Sequence, residues 1–184
     1  MSRWRGVVLG GLDFTLARHH GTRLAALATI YGMARQVPIE ELQANIGEEI
    51  AVSDWFEITQ DRIDSFADTT EDHQWIHVDT ERAANESPFK TTIGHGFLSL
   101  SMLAPIMMGT VKVAGDFKHG INYGLNRVRF PAPVPAGSRI RGHISPHAVE
   151  EHPWGVQTIW NVTVEIEGAP KPCVVAEWVT RAYK

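Results

Sequence analysis

Between Gln157 and Glu167 the chain alternates, with Val162, Val164 and Ile166 separated by Thr163, Glu165 and Glu167. A period of two predicts a half-buried antiparallel strand, one face on a core and one in water. Asn122 to Phe130 repeats the pattern, Arg127 and Arg129 interleaving with Val128 and Phe130. Further strands are predicted at Val52 to Ile58, at Arg139 to Val149 with an interruption at Pro146, and at Val174 to Tyr183. Pro131, Pro133, Pro135 and Gly137 form a stiff turn after Phe130. Helical signals come earlier. Pro38 to Leu42 opens a short helix whose acids, Glu40 and Glu41, suit the positive end of the helix dipole. Thr59 caps a second helix with Ile63, Phe66 and Ala67 inward and Gln60, Asp61, Arg62 and Asp64 wet. From Phe97 to Met108 the chain is almost wholly apolar, interrupted only by Ser99 and Ser101. A helix of that composition has to be buried. Pro105 should kink it near Ser101, and Gly109 is a natural C-terminal cap.

The order is strand, helix, polar loop, buried helix, then consecutive strands. That predicts an α+β domain with helices on one side of an antiparallel sheet. One sheet wrapped around one apolar helix is the geometry of a hotdog fold. Its exposed sheet edge makes a homodimer the expected state.

Residues 1–36 read differently and are expected to be a loosely held or non-native extension, leaving a single domain over 37–184. Arg3, Arg5, Arg18 and Arg23 face a single acid, Asp13, and serine is almost absent, which weakens a mitochondrial targeting reading. Thr22 to Arg35 has helical spacing, with Leu24, Leu27, Ala28 and Tyr31 on one face, and Met33 is a candidate start.

At 184 residues, 43% hydrophobic and 21% charged, the chain is long enough for one proper core and too balanced to be disordered. A net charge of −4 gives no electrostatic case for nucleic acid. No apolar run approaches membrane-spanning length, so no membrane partner is expected. The only cysteine, Cys173, cannot close an internal disulfide and reads as a small buried hydrophobe. A cytoplasmic protein is the expectation.

The chemistry concentrates between Phe66 and Gly96. Asp72 and His77 lie five apart in a polar loop, and Gly94-His95-Gly96 opens the apolar helix. An imidazole and a carboxylate can share one water, taking its proton and returning it on the same face. A helix start offers unpaired N–H groups to a developing negative charge.

Three motifs stand in order: Phe66-Ala67 followed by Asp72-x4-His77, then Ile93-Gly94-His95-Gly96, then Asn122-Tyr123-Gly124-Leu125-Asn126-Arg127-Val128-Arg129-Phe130-Pro131. With these motifs, the chain from about Gly47 onward resembles the MaoC-like dehydratases, the (R)-specific enoyl-CoA hydratases. It is most similar to their nodulation-protein-N-like branch. The resemblance implies that Asp72 and His77 are the hydratase pair and that the backbone N–H of Gly96 receives the thioester carbonyl oxygen. It implies an acyl-CoA or acyl-carrier thioester as substrate and neither metal nor cofactor. Gln74, Trp75, His95, Phe97, Tyr123, Asn126 and Arg129 are the substrate-binding candidates. Many relatives have Asn-Pro between the acid and the histidine, where this chain has His73-Gln74-Trp75-Ile76; Gln74 can replace the asparagine amide. Gly94 stands where alanine is more usual.

Blander readings remain open. An Asp and a His in a loop also form structural ion pairs. His73, His77 and His95 suggest a metal site, although zinc favours helical or CxxC-type spacing over a glycine-rich context. His95 is expected to bond the turn it belongs to. Arg127, Arg129 and Lys118 are candidates for coenzyme A phosphates, yet alternating basic residues also mark the wet face of a strand. A thioesterase and a non-catalytic acyl-binding or partner-binding hotdog protein are the alternatives to a hydratase.

Overall fold

A computed structural model describes residues 34–184. Its framework is a sheet in which β8 (Arg139–His152), β9 (Gly155–Ile166) and β10 (Val174–Tyr183) are the long central strands and β6 (His119–Arg129) is one edge. All pairings in this sheet are antiparallel. The alternation predicted for β9 is present, with Thr158, Trp160, Val162, Val164 and Ile166 all buried. Both buried tryptophans of the sheet satisfy their indole N–H: Trp160 donates to Thr180 Oγ1 at 2.9 Å and Trp178 to Asn122 Oδ1 at 2.6 Å. Pro146 does not end β8. The register slips between Pro146 and Ala148, a bulge that absorbs the missing donor, while the Pro146 carbonyl accepts from Gly47 N–H at 2.8 Å.

The strand expected from Val52 to Ile58 is split into β2 (Ala51–Val52) and β3 (Phe56–Glu57), both paired with β8. Ser53 sits between them. Its N–H donates to the Gly142 carbonyl at 2.9 Å and its Oγ accepts from Gly142 N–H at 2.9 Å, so a side chain replaces one backbone acceptor where the strand bends.

The apolar helix packs on the sheet as two pieces, α5 (Gly96–Ser101) and α6 (Leu103–Thr110), hinged at Met102. Pro105 has no N–H for the Ser101 carbonyl, so the expected kink falls where the sequence puts it. Two expectations need correction. Gly109 lies inside the last turn, and Val111, in extended conformation (φ −135°), ends the helix. Burial is also one-sided. Leu98, Leu103, Ile106 and Met107 are buried, whereas Phe97, Ser101, Ala104 and Met108 form an exposed stripe at helical spacing, Phe97 at 69%.

Ile106 meets the sheet at Gly142, where a methyl group on the glycine would lie 2.5 Å from Ile106 Cγ2. Gly142→Ala is therefore expected to destabilise the fold by about 1–3 kcal/mol through overpacking, read as a lower denaturant midpoint.

The remaining elements frame the helix start. These are α1 (Ile39–Ala44), α2 (Gln60–Thr70), α3 (Trp75–Val78), α4 (Thr80–Glu86) and the small ladder of β4 (Ile93–Gly94) with β7 (Val134–Pro135). Thr59 caps α2 as expected, its Oγ1 accepting from Arg62 N–H at 3.2 Å. Gln60 and Asp64 are half-buried, not wet. The helix expected over Thr22 to Arg35 falls outside the described residues except at its end. There Arg35 begins β1 (Arg35–Val37), parallel to β5 (Val111–Val113). Among the described residues no helix is long and apolar enough to cross a membrane.

Candidate active site

The left-handed conformation of Glu71 (φ 60°) ends α2 and turns the chain so that Asp72 stands at the surface, its side chain 57% exposed. Two residues on, the Gln74 carbonyl accepts from His77 N–H at 2.9 Å and closes the short helix α3. That turn drives His77 inward to 7% exposure.

His77 is held from two sides. Its Nδ1–H donates to the Ile93 carbonyl at 2.6 Å, which leaves Nε2 with a bare lone pair. Gln60 Nε2 donates to the His77 carbonyl at 2.8 Å and to Asp64 Oδ1 at 2.7 Å, while Gln60 Oε1 accepts from the Thr92 hydroxyl. Burial pushes the His77 imidazole below its usual pKa and the neighbouring His95 adds to this, against the opposing pull of the Ile93 carbonyl and the Asp72 charge. His77 is thus an oriented imidazole whose uncharged form burial favours.

His95 precedes the helix and is 4% exposed. Its ring stacks on His77 with centroids 3.7 Å apart and 25° between planes, and Phe66 packs at 5.1 Å. It does not bond its own turn through the ring. Nε2–H donates instead to the backbone carbonyl of Asp72 at 2.9 Å. Ligand atoms of Asp72, His77 and His95 all lie within 4.8 Å of one another.

A cavity of about 350 Å³ opens beside this group. His77 and Gly96 line it, with Phe89, Ile93, Ser99, Phe130 and Cys173 among the other walls. No side chain caps α5, so first-turn N–H groups are left for a ligand. Gly96 lets the backbone approach closely, since a methyl group there would sit 3.3 Å from the Phe130 ring. At Gly94 the nearest atom to such a methyl is Ile58 Cγ2 at 3.4 Å, ordinary contact, so an alanine fits the same space. Burial pushes the Cys173 thiol up to about 12, and its Sγ donates to the Val164 carbonyl at 3.4 Å. This thiol is no nucleophile.

The structure groups Asp72, His77 and His95, and of the candidates it places His77 and Gly96 on the cavity wall. The other candidates lie elsewhere. Gln74 is exposed and acts through its backbone. Trp75 lies under the Arg82 guanidinium at 4.2 Å. Phe97 is exposed and meets Phe130 edge-on at 6.1 Å. Tyr123 packs under Arg181 at 3.3 Å, Asn126 is exposed on β6, and Arg129 donates to the Val128 carbonyl at 2.7 Å. Gln60, the Ile93 carbonyl and Phe130 belong to the site and carried no signal by themselves: a glutamine on a helix, a backbone oxygen, and the last apolar residue of a strand.

A family model described as MaoC like domain matches residues 41–165. The 3-hydroxyacyl-thioester dehydratase Z of Mycobacterium tuberculosis is 51% identical over 144 residues, spanning 78% of this chain and 94% of that protein. Nodulation protein N of Rhizobium leguminosarum bv. viciae is 42% identical over 146 residues, spanning 79% and 91% respectively. Among solved structures, the unliganded (R)-hydratase of Pseudomonas aeruginosa matches with a TM-score of 0.63 at 23% identity, over 82% of this chain and 88% of that one. An (R)-hydratase from A. caviae matches at 0.60 and 20% identity, over 72% and 93%. The likeness to these two structures is one of fold, a helix wrapped by an antiparallel sheet.

Proposed function

This chain belongs to the MaoC-like domain family and is a hydratase/dehydratase of enoyl thioesters; we propose that Asp72 and His77 are its catalytic pair. The substrate we assign is a trans-2-enoyl thioester, and the hydration product is the (R)-3-hydroxyacyl thioester. The observation that carries this reading is one carboxylate and one bare-nitrogen imidazole within 4.8 Å, beside an apolar cavity that also reaches the helix start.

Water held between the two groups gives up a proton to the pair as its oxygen bonds to C3. The π electrons of the C2–C3 bond move onto the thioester carbonyl. The pair then returns a proton to C2 on the same face, and the sum is addition of one water. His77 Nε2 is the proton acceptor, because Nδ1–H is committed to Ile93. The enolate oxygen meets Gly96 N–H, and losing such a donor typically lowers the rate by roughly 100- to 1,000-fold. The chemistry so drawn calls on no metal or redox cofactor. Coenzyme A or a carrier protein serves equally as the thiol. The Asp72–His77 pair beside the cavity favours hydration over the thioesterase alternative, and the buried Cys173 thiol offers that alternative no nucleophile. The test is turnover of 2-enoyl-CoAs by the whole chain, with the pair replaced one residue at a time.

We also assign a homodimer. The edge strand β6 leaves Ile121, Tyr123 and Leu125 exposed, and Phe130 and Phe97 continue the apolar strip. Edge pairing of two copies would cover this strip and the free backbone groups beside it. Light scattering is expected to give twice the 20.5 kDa of one chain; a mass of 20.5 kDa at micromolar concentration would remove the assignment.

A further inference from the structure

We infer that His95 is a positioning residue that sets the geometry of the catalytic pair without touching substrate. The inference rests on the hydratase reading above and deepens it.

His95 is the side chain that joins all three parts of the site. Its Nε2–H holds the Asp72 carbonyl at 2.9 Å, its ring stacks on His77 at 3.7 Å, and the next residue is Gly96. It also anchors the helix through its backbone, its carbonyl accepting from Ser99 N–H at 3.1 Å. Asp72 needs such a tether. Its carboxylate is mostly exposed and lies 3.9 Å from His95 Nε2, so the same ring nitrogen that holds the backbone also stands beside the carboxylate.

The second nitrogen of His95 argues that the residue is kept for function. Nδ1 is buried and makes no hydrogen bond among the described residues. A buried polar atom without a partner lowers stability. Phenylalanine would fill the same slot between Phe66 and His77, keep the stacking and avoid the orphan atom. Only the bond to Asp72 would be lost. The core is better served by phenylalanine and the reaction by histidine.

The experiment compares His95→Phe and His95→Gln with the wild type, using crotonyl-CoA as substrate. His95→Phe is expected to keep or raise the melting temperature, to lower kcat about 10- to 100-fold, and to leave KM within about threefold, as misplacement of a catalytic group does. Glutamine carries a donor amide near the position of Nε2 and is expected to recover at least about fivefold of the kcat lost in the Phe variant. A folded Phe variant with kcat within about twofold of wild type overturns the inference. So does a Gln variant no more active than Phe. ¹⁵N NMR of the imidazoles in the wild type gives a readout independent of turnover: an Nε2–H tautomer at His95 is expected, and an Nδ1–H tautomer overturns the tether. A wild type that turns over no enoyl thioester yet shows the Nε2–H tautomer marks failure of the hydratase reading alone.

Discussion

Replacing His77 by alanine is expected to lower kcat/KM for enoyl-thioester hydration about 100- to 10,000-fold, the range that a positioned acid–base group contributes. The chain should still fold, because His77 is not a member of the apolar core to which Ile106, Ile140, Ile144 and Trp160 belong. The pH dependence follows from the same residue. Burial, then the neighbouring His95, hold the His77 pKa below the ordinary 6.5 in the folded protein. The neutral, proton-accepting form therefore persists below that value, and the acid limb of kcat/KM is expected to have its midpoint under 6.5. For stability the sign is fixed by proton counting. Below pH 6.5 the unfolded chain binds a proton that folded His77 resists, so the contribution to stability falls as pH drops. His77→Ala removes that slope. Denaturant midpoints between pH 5 and 7 check it, and an acid limb above 6.5 in the wild type would contradict the assignment of His77 as base.

Asp72→Asn is expected to lose hydration by a similar factor, about 100- to 10,000-fold, while changing stability by no more than about 0.5 kcal/mol. The two halves of that statement have different causes. Asparagine keeps the shape of the side chain and removes the charge that orients the shared water and stabilises His77 once it has taken the proton. The side chain is 57% exposed and its carboxylate stands 3.9 Å from His95 Nε2, while the 2.9 Å hydrogen bond goes to the backbone carbonyl, so the amide leaves that bond intact. Rates and thermal melts of the same sample check both halves. Retention of a tenth or more of the wild-type rate would show that the carboxylate is not part of the chemistry.

Much of this was written locally in the chain. The period-two run of β9 and the apolar run from Phe97 to Met108 needed no distant information, and Pro105 marked the hinge because a missing N–H acts on its own turn. Asp72, His77 and Gly96 stood out through the order of the three motifs and the family resemblance they carry, while spacing alone left a structural ion pair open. What failed was long-range. Ser53 bonds Gly142, Gln60 bonds Thr92 and the His77 carbonyl, and His95 bonds the Asp72 carbonyl, none of which leaves a periodic trace. Gln60 looked wet because the next two residues, Asp61 and Arg62, are. Burial of the helix was overstated because composition shows how apolar a helix is, not which neighbour covers each face. The Phe97 to Met108 stripe lies open in a single copy.

The most direct measurement mixes the whole chain with crotonyl-CoA and longer trans-2-enoyl-CoAs, following the enoyl-thioester absorbance and free thiol in the same sample. Loss of the absorbance band with no thiol released, and (R)-3-hydroxyacyl-CoA as the product, is the expected result. Thiol release from saturated acyl-CoA, or binding without turnover at every chain length, would contradict it.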